Sequence, residues 1–185
     1  RMSAALLNRV TWGLVPLTLA IGGLGCTSDP PVTDQDRILG VTETETWHLD
    51  GLERSVYVLR TEANVPHIYA TNRRDLARVQ GFTIARDRYF MMDLQRRLGL
   101  GTISELLGDA ALEIDQESRG VGMTFLADRV VAGLSPELEE IVDGFAAGIN
   151  AYIDEVKADS LAPPSELKLA QGLLGASSAS DLMKP

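Results

Sequence analysis

Side chains able to start a reaction are scarce in this sequence of 185 residues. It carries one cysteine, Cys26, and two histidines, His48 and His67. A lone cysteine makes neither an internal disulfide nor a Cys-rich zinc site, and two histidines leave little room for a metal cluster. His67 follows Pro66 in an apolar run, with no Ser, Cys or Asp at a spacing that completes a nucleophilic triad. It reads as a hydrogen-bonded packing side chain. Gly99-Leu-Gly101 and Gly120-Val-Gly122 lack the third glycine of a phosphate-cradling loop. Gly175-Ala-Ser177-Ser-Ala179 fails the last position of a nucleophile elbow. The acids of Asp34-Gln-Asp36 and Glu113-Ile-Asp115-Gln-Glu117 complete no calcium loop and read as solvated faces. Spacing alone assigns no catalytic, cofactor-binding or metal-binding residue.

Lys and Arg number 17 against 26 Asp and Glu, a net charge of −9, with 45% hydrophobic residues. That hydrophobic share excludes general disorder. So acidic a chain repels phosphate backbones, which excludes nucleic acid as a partner.

The elements that must position any site can be read in order. Thr42–Leu49 is a strand with one wet face, Asp50-Gly51 a two-residue hairpin turn, and Ser55–Arg60 the returning strand. Pro66–Ala70 is a third short strand. From about Arg74 to Gly99 a helix carries apolar residues nearly all round, with Gly81 marking a close backbone approach. Thr102-Ile-Ser-Glu105 has the form of a capping box, and the segment 109–118 is expected to be irregular. A helix over about Val121–Val131 comes next. Ser135-Pro136-Glu137 opens the clearest helix, whose apolar residues recur at i, i+3, i+4 to Val156. Beyond Ala162-Pro163-Pro164 the chain reads as loop.

The N-terminus differs in kind. Residues 10–25 are uncharged and largely apolar, behind Arg1 and Arg9. As a helix that run spans about 24 Å, short for a hydrocarbon core of about 30 Å. A basic start, a short apolar run and small residues before a cut site describe a signal peptide over residues 1–25. Leu24-Gly25-Cys26-Thr27 resembles a bacterial lipobox, with Gly23 where the usual leucine stands, which implies Cys26 as the lipidation site and mature N-terminus; ordinary signal-peptidase cleavage is the alternative, and the product is expected to be periplasmic or membrane-anchored. Residues 26–40 read as a tether. Arg1 before Met2 and the stop at Lys184-Pro185 point to a fragment of a longer reading frame.

Val65-Pro-His-Ile-Tyr-Ala70, then Gln80-Gly-Phe-Thr-Ile-Ala-Arg-Asp-Arg-Tyr-Phe90, resemble motifs of the penicillin acylase family. The likeness continues through Met92–Arg97, Gly101-Thr-Ile-Ser-Glu-Leu-Leu-Gly108, Leu134–Glu137 and Asp143–Ile153. Ala63-Asn64 and Arg86 depart from the family's usual Tyr-Gly and Gln. The resemblance covers about residues 52–167 and makes 41–185 a partial α-chain region.

That resemblance implies an N-terminal-nucleophile hydrolase made as one precursor and cut autocatalytically into α and β chains. The β chain then begins with the catalytic serine, whose own α-amino group, with a pKa near about 8, serves as base through water. It implies an α+β fold, a hairpin and short strand followed by mostly helices, as part of an αββα sandwich that the β chain completes. It implies calcium in the complete enzyme and a small-molecule linear amide as substrate, either a β-lactam side chain or an acyl-homoserine lactone. No Gly-Ser-Asn-like junction occurs in this chain, and the likeness runs out before the family segment that supplies a calcium-ligating glutamate, so no catalytic residue or calcium ligand carries over. Asp87, Arg88, Arg97 and Glu105 match family positions and read as a structural ion network holding helix to sheet. The alternative is a non-catalytic envelope lipoprotein that keeps the fold as an interaction module.

Overall fold

A computed structural model of the chain describes Met2–Leu6, Ile38 and residues 40–185. The apolar run 10–25, Cys26 and most of the tether therefore lie outside the described residues.

Four short strands form one sheet: β1 (Met2–Leu6), β2 (Glu45–Trp47), β3 (Val56–Arg60) and β4 (Pro66–Tyr69), in the order β2-β1-β3-β4. β3 and β4 make an antiparallel hairpin, with Val58 opposite Ile68 and Asn64 in the left-handed region at φ 59°. The expected hairpin between β2 and β3 is a correction. β1 lies between them, antiparallel to β2 and parallel to β3. Of the Asp50-Gly51 pair only Gly51 has positive φ, at 79°, so the primed two-residue turn is not made. The loop instead buries Leu49 in the core.

A long helix, α1 (Arg73–Leu100), follows, capped by the Asn72 side chain accepting from the Asp75 amide and closed by Gly101 at φ 66°. Its backbone leaves helical geometry at Arg88 (φ −144°, ψ 25°), so α1 is two segments joined at a kink. The buried stripe is narrower than the all-round apolar pattern suggests. Val79, Phe82, Ala85 and Tyr89 are buried, while Leu76, Ile84, Met91 and Leu98 are exposed.

Next come α2 (Ser104–Leu107), a 3₁₀ turn (Gly108–Ala111), α3 (Leu112–Val121) and α4 (Met123–Val131). The stretch 109–118 is thus helical, against the irregular expectation. The capping box is also a correction, because no side chain caps α2 from Thr102. Asp115, brought round by α3, accepts from the amides of Ile103 (2.7 Å) and Ser104 (3.0 Å) instead. One buried carboxylate satisfies orphan donors of the helix start, and Glu105 is released for another role.

α5 (Pro136–Lys157) begins where the sequence predicts it, with Ser135 as N-cap and Pro136 in the first turn. It crosses α1 closely. A Cβ placed on Gly81 of α1 would run into the Phe145 carbonyl of α5. The chain beyond Pro164 is not loop but α6 (Ser165–Leu174), followed by a 3₁₀ turn at Ser180–Leu182. The core joins Val56 and Val58 of β3, Phe82 and Tyr89 of α1, Tyr152, Ile153 and Val156 of α5, then Leu167 and Met183. The class is α+β, mostly helical with a small sheet. No helix among the described residues is long and apolar enough to cross a membrane.

Candidate functional site: an ion-paired hub beside a cleft

The charges of α1 divide at its kink. On the sheet side Arg60 of β3 grips Asp87 with two parallel hydrogen bonds, at 2.9 and 2.8 Å. Arg86 pairs with Glu45 of β2 at 2.9 Å and lies over the Trp47 ring, 5.5 Å from its centre. These contacts hold the helix to the sheet.

On the other side Arg97, 1% exposed, spends all three guanidinium nitrogens. Its Nε donates to Asp93 at 2.7 Å, Nη1 to Glu105 at 2.6 Å and Nη2 to the Leu182 carbonyl at 2.8 Å. Asp93 accepts from Arg96 as well, at 2.7 Å. Lys184 Nζ reaches the same Glu105 oxygen at 2.6 Å. The hub therefore ties α1 to α2 and to the C-terminal segment, not to the sheet. Burial on this scale requires such complete pairing, because an unpaired buried charge is strongly destabilising.

Of the four family-matched residues, Arg97 and Glu105 meet in this hub and Asp87 joins the sheet-side pair. Arg88 belongs to neither: it is exposed and makes no ion pair or hydrogen bond among the described residues.

The hub perturbs its titrating groups. Donation from Lys184, with the Lys184 and Arg97 charges beside it, overcomes partial burial and holds the Glu105 carboxyl below the usual carboxylate range. Burial, reinforced by the Asp93 carboxylate, pushes the Tyr89 hydroxyl up to about 12. That hydroxyl donates to the Lys184 carbonyl at 3.1 Å and accepts from the Lys184 amide at 3.2 Å. For Asp115, burial opposes the charge, yet hydrogen bonds from the Ser104 hydroxyl and the Ser104 and Ile103 amides outweigh it and lower the pKa.

Tyr89, Met92, Asp93, Arg96, Ile149 and Lys184 line a cleft of roughly 310 Å³ beside the hub, apolar on its walls and cationic at its rim. It can seat an apolar group but offers no nucleophile paired with a base. Both histidines face solvent. His48 makes a 3.2 Å contact with Asp50 between two highly exposed side chains, and His67, expected to pack, is exposed on the edge strand β4. Among the described residues no three of His, Cys, Asp and Glu converge as a cation shell, so these residues do not by themselves fit calcium.

Some of this was readable. Asp93 and Arg97 stand four residues apart on one helix, the spacing of an intrahelical ion pair. Arg60, Tyr89, Lys184 and Asp115 gave no local signal, because their partners are distant in sequence.

A kinked central helix tied by partly exposed ion pairs to a small sheet, and by the buried Arg97 hub to the C-terminal segment of the chain, defines an α+β scaffold. The chain belongs to the penicillin amidase family, whose model matches residues 55–177. It is 37% identical over 128 residues to the penicillin acylase 2 proenzyme of Pseudomonas sp. (strain SE83), covering 69% of this chain and 16% of that protein. It is 36% identical to penicillin G acylase of Escherichia coli, over 61% of this chain and 14% of that one. To the acyl-homoserine lactone acylase QuiP of Pseudomonas syringae pv. syringae it is 32% identical, over 68% and 16%. A thermostable penicillin G acylase from Alcaligenes faecalis superposes with a TM-score of 0.58 at 33% identity, covering 63% of this chain and 62% of that one. The chain thus spans about a sixth of the length of the curated relatives it matches.

Proposed function

We propose that this chain is the α-chain part of an exported amide hydrolase, made as a proenzyme whose β chain carries the catalytic serine. The observation that carries this reading is a mismatch of shares. The matched region fills 62% of the solved penicillin G acylase chain but only 16% of the Pseudomonas proenzyme. A solved chain of nearly this length, beside precursors several times longer, supports division of the precursor into a short and a long chain.

In this reading the serine at the head of the β chain attacks a linear amide, with its own amine as base through water. The hub and the α1–α5 core provide the rigid frame on which that chain is held. The relatives named above act on penicillins or acyl-homoserine lactones, and a β-lactam side chain or an acyl-homoserine lactone is the proposed substrate. Calcium belongs to the complete enzyme in this reading, since no three ligating side chains among the described residues converge to hold it alone. Export through residues 1–25 and lipidation at Cys26 belong to the same proposal. Cleavage after Gly25 would remove β1 and free the facing edges of β2 and β3.

The test is to express the whole reading frame that contains this sequence. Mass spectrometry should find two chains, and a phenylacetyl amide or an acyl-homoserine lactone should be hydrolysed. An unprocessed, inactive polypeptide would support the non-catalytic module instead. For the anchor, Cys26→Ser should release the protein from the membrane fraction; continued membrane association would remove the lipoprotein idea.

A further inference from the structure

A cavity of roughly 340 Å³ opens where α1 breaks at Arg88, bounded by residues 86–91 of α1, by Tyr152 of α5 and by residues 162–166. Two of its charged side chains are already engaged. Asp87 is gripped by Arg60, and Arg86 is paired with Glu45. The other two, Arg88 and Glu166, are exposed, and among the described residues neither meets an opposite charge. Glu166 accepts only from the Ser165 hydroxyl, at 3.0 Å. Opposite charges that line one cavity yet stay apart leave space for a ligand between them. Tyr152 adds an unsatisfied group. It is 3% exposed, with its ring edge-on to Phe82 at 6.2 Å between centres. Its hydroxyl has no hydrogen-bond partner among the described residues. The charges acting on that hydroxyl belong to Arg86, Asp87 and Glu166, all of which line the cavity, so the hydroxyl faces it. A buried hydroxyl without a partner is destabilising, and a ligand that bonds to it removes that cost.

We propose that this cavity binds a small zwitterion, an α-amino acid, with its carboxylate on Arg88 and the Tyr152 hydroxyl and its ammonium on Glu166. A simple anion would meet the Glu166 carboxylate and a simple cation the Arg88 guanidinium, each a like charge at short range. A molecule carrying both charges satisfies both. The guanidinium presents paired N–H groups that match a carboxylate. Met91, Pro163 and Pro164 supply apolar wall, held rigid by the fixed φ of each proline, and a short aliphatic side chain rests there. The volume lies at the small end of ligand pockets, which suits a single amino acid and not a peptide. This site does not depend on the hydrolase reading.

Isothermal titration calorimetry of the polypeptide from the whole reading frame, with L-leucine as probe, tests this. Isocaproate, which lacks the ammonium, and isoamylamine, which lacks the carboxylate, are the comparisons. Leucine should bind saturably and at least about tenfold more tightly than either, the worth of one charge-assisted contact. Arg88→Gln should weaken leucine by about tenfold or more, and Tyr152→Phe by a smaller factor. Glu166→Gln should weaken leucine yet strengthen isocaproate, because the repelling carboxylate is gone; a merely structural Glu166 gives no such reversal. The melts should match the parent's, since Arg88 and Glu166 are exposed and unpaired and Phe keeps the Tyr152 ring. Absence of leucine binding overturns the proposal. So does isocaproate binding as tightly as leucine, which makes the cavity a plain anion site. Leucine binding that none of the three variants alters places the ligand elsewhere and overturns it too. Amide turnover is assayed separately, and its presence or absence leaves this result untouched.

Discussion

Gly148 of α5 lies directly on the Arg78 carbonyl of α1, and a Cβ built on it would also come within 2.8 Å of the Phe82 amide nitrogen. Both obstacles are backbone, so no side chain can move aside. An Ala at a helix interior usually stabilises by about 0.5–1 kcal/mol relative to Gly. Here the sign should reverse. Gly148→Ala is expected to cost about 2–3 kcal/mol, in the range of core overpacking, and Gly99→Ala, where the added carbon meets nothing within 4 Å, should be neutral or stabilising. Urea midpoints of the two variants decide it; equal shifts would mean that the helices do not cross at Gly148.

Arg97→Met should destabilise by about 3 kcal/mol, because Asp93 stays at 2% exposure and keeps only Arg96 as partner. Arg97→Met with Asp93→Leu should lose less than Arg97→Met alone, since no buried charge is then orphaned. A double variant no better than the single one would show that the packing of the guanidinium, not its charge, is what matters.

The hub predicts opposite behaviour at the two ends of the pH scale. Glu105 is held below the ordinary glutamate value of 4.5. Its contribution is therefore complete above about that pH and is lost as pH falls through the lower folded value. Tyr89 is raised from 10.0 to about 12. The fold favours its neutral form, so that contribution is complete below about pH 10 and is lost as pH climbs towards 12. Glu105→Gln should flatten the acid limb of stability against pH and Tyr89→Phe the alkaline limb. Unchanged limbs would place both groups in water.

Asp115→Ala should release the start of α2. Ile103 is buried, and its amide would lose its carboxylate acceptor. Amide exchange at Ile103 and Ser104 should accelerate, with Gly101–Leu107 loosening before the rest of the fold. Asp115→Asn, which keeps an acceptor, should recover part of the protection; no difference between the two variants would contradict the staple.

Deleting residues 1–25 should expose Val56–Arg60 to faster exchange, because β1 supplies the parallel neighbour of β3. Unchanged exchange across β3 would mean that Met2–Leu6 does not pair in solution.

The features legible in the sequence are those fixed by neighbours along the chain. Ser135-Pro136-Glu137 specifies the start of α5 because a cap, a pre-set φ and a helix dipole all act within one turn. The i, i+3, i+4 rows of α1 and α5 and the glycine at 81 pointed to a helical pair in contact, and the ordered motifs pointed to the family. Tertiary structure decided what distant residues do to one another. Thr102 lost the cap to Asp115, whose carboxylate has the better reach to two amides at once. Glu105, a capping residue by spacing, became a bridge between Arg97 and Lys184 because the C-terminal turn returns beside α1. The strand beside β3 came from Met2–Leu6, not from the adjoining β2. Local propensity is a property of a few consecutive residues, whereas a buried charge takes whichever partner the packing of the whole chain brings within hydrogen-bonding distance.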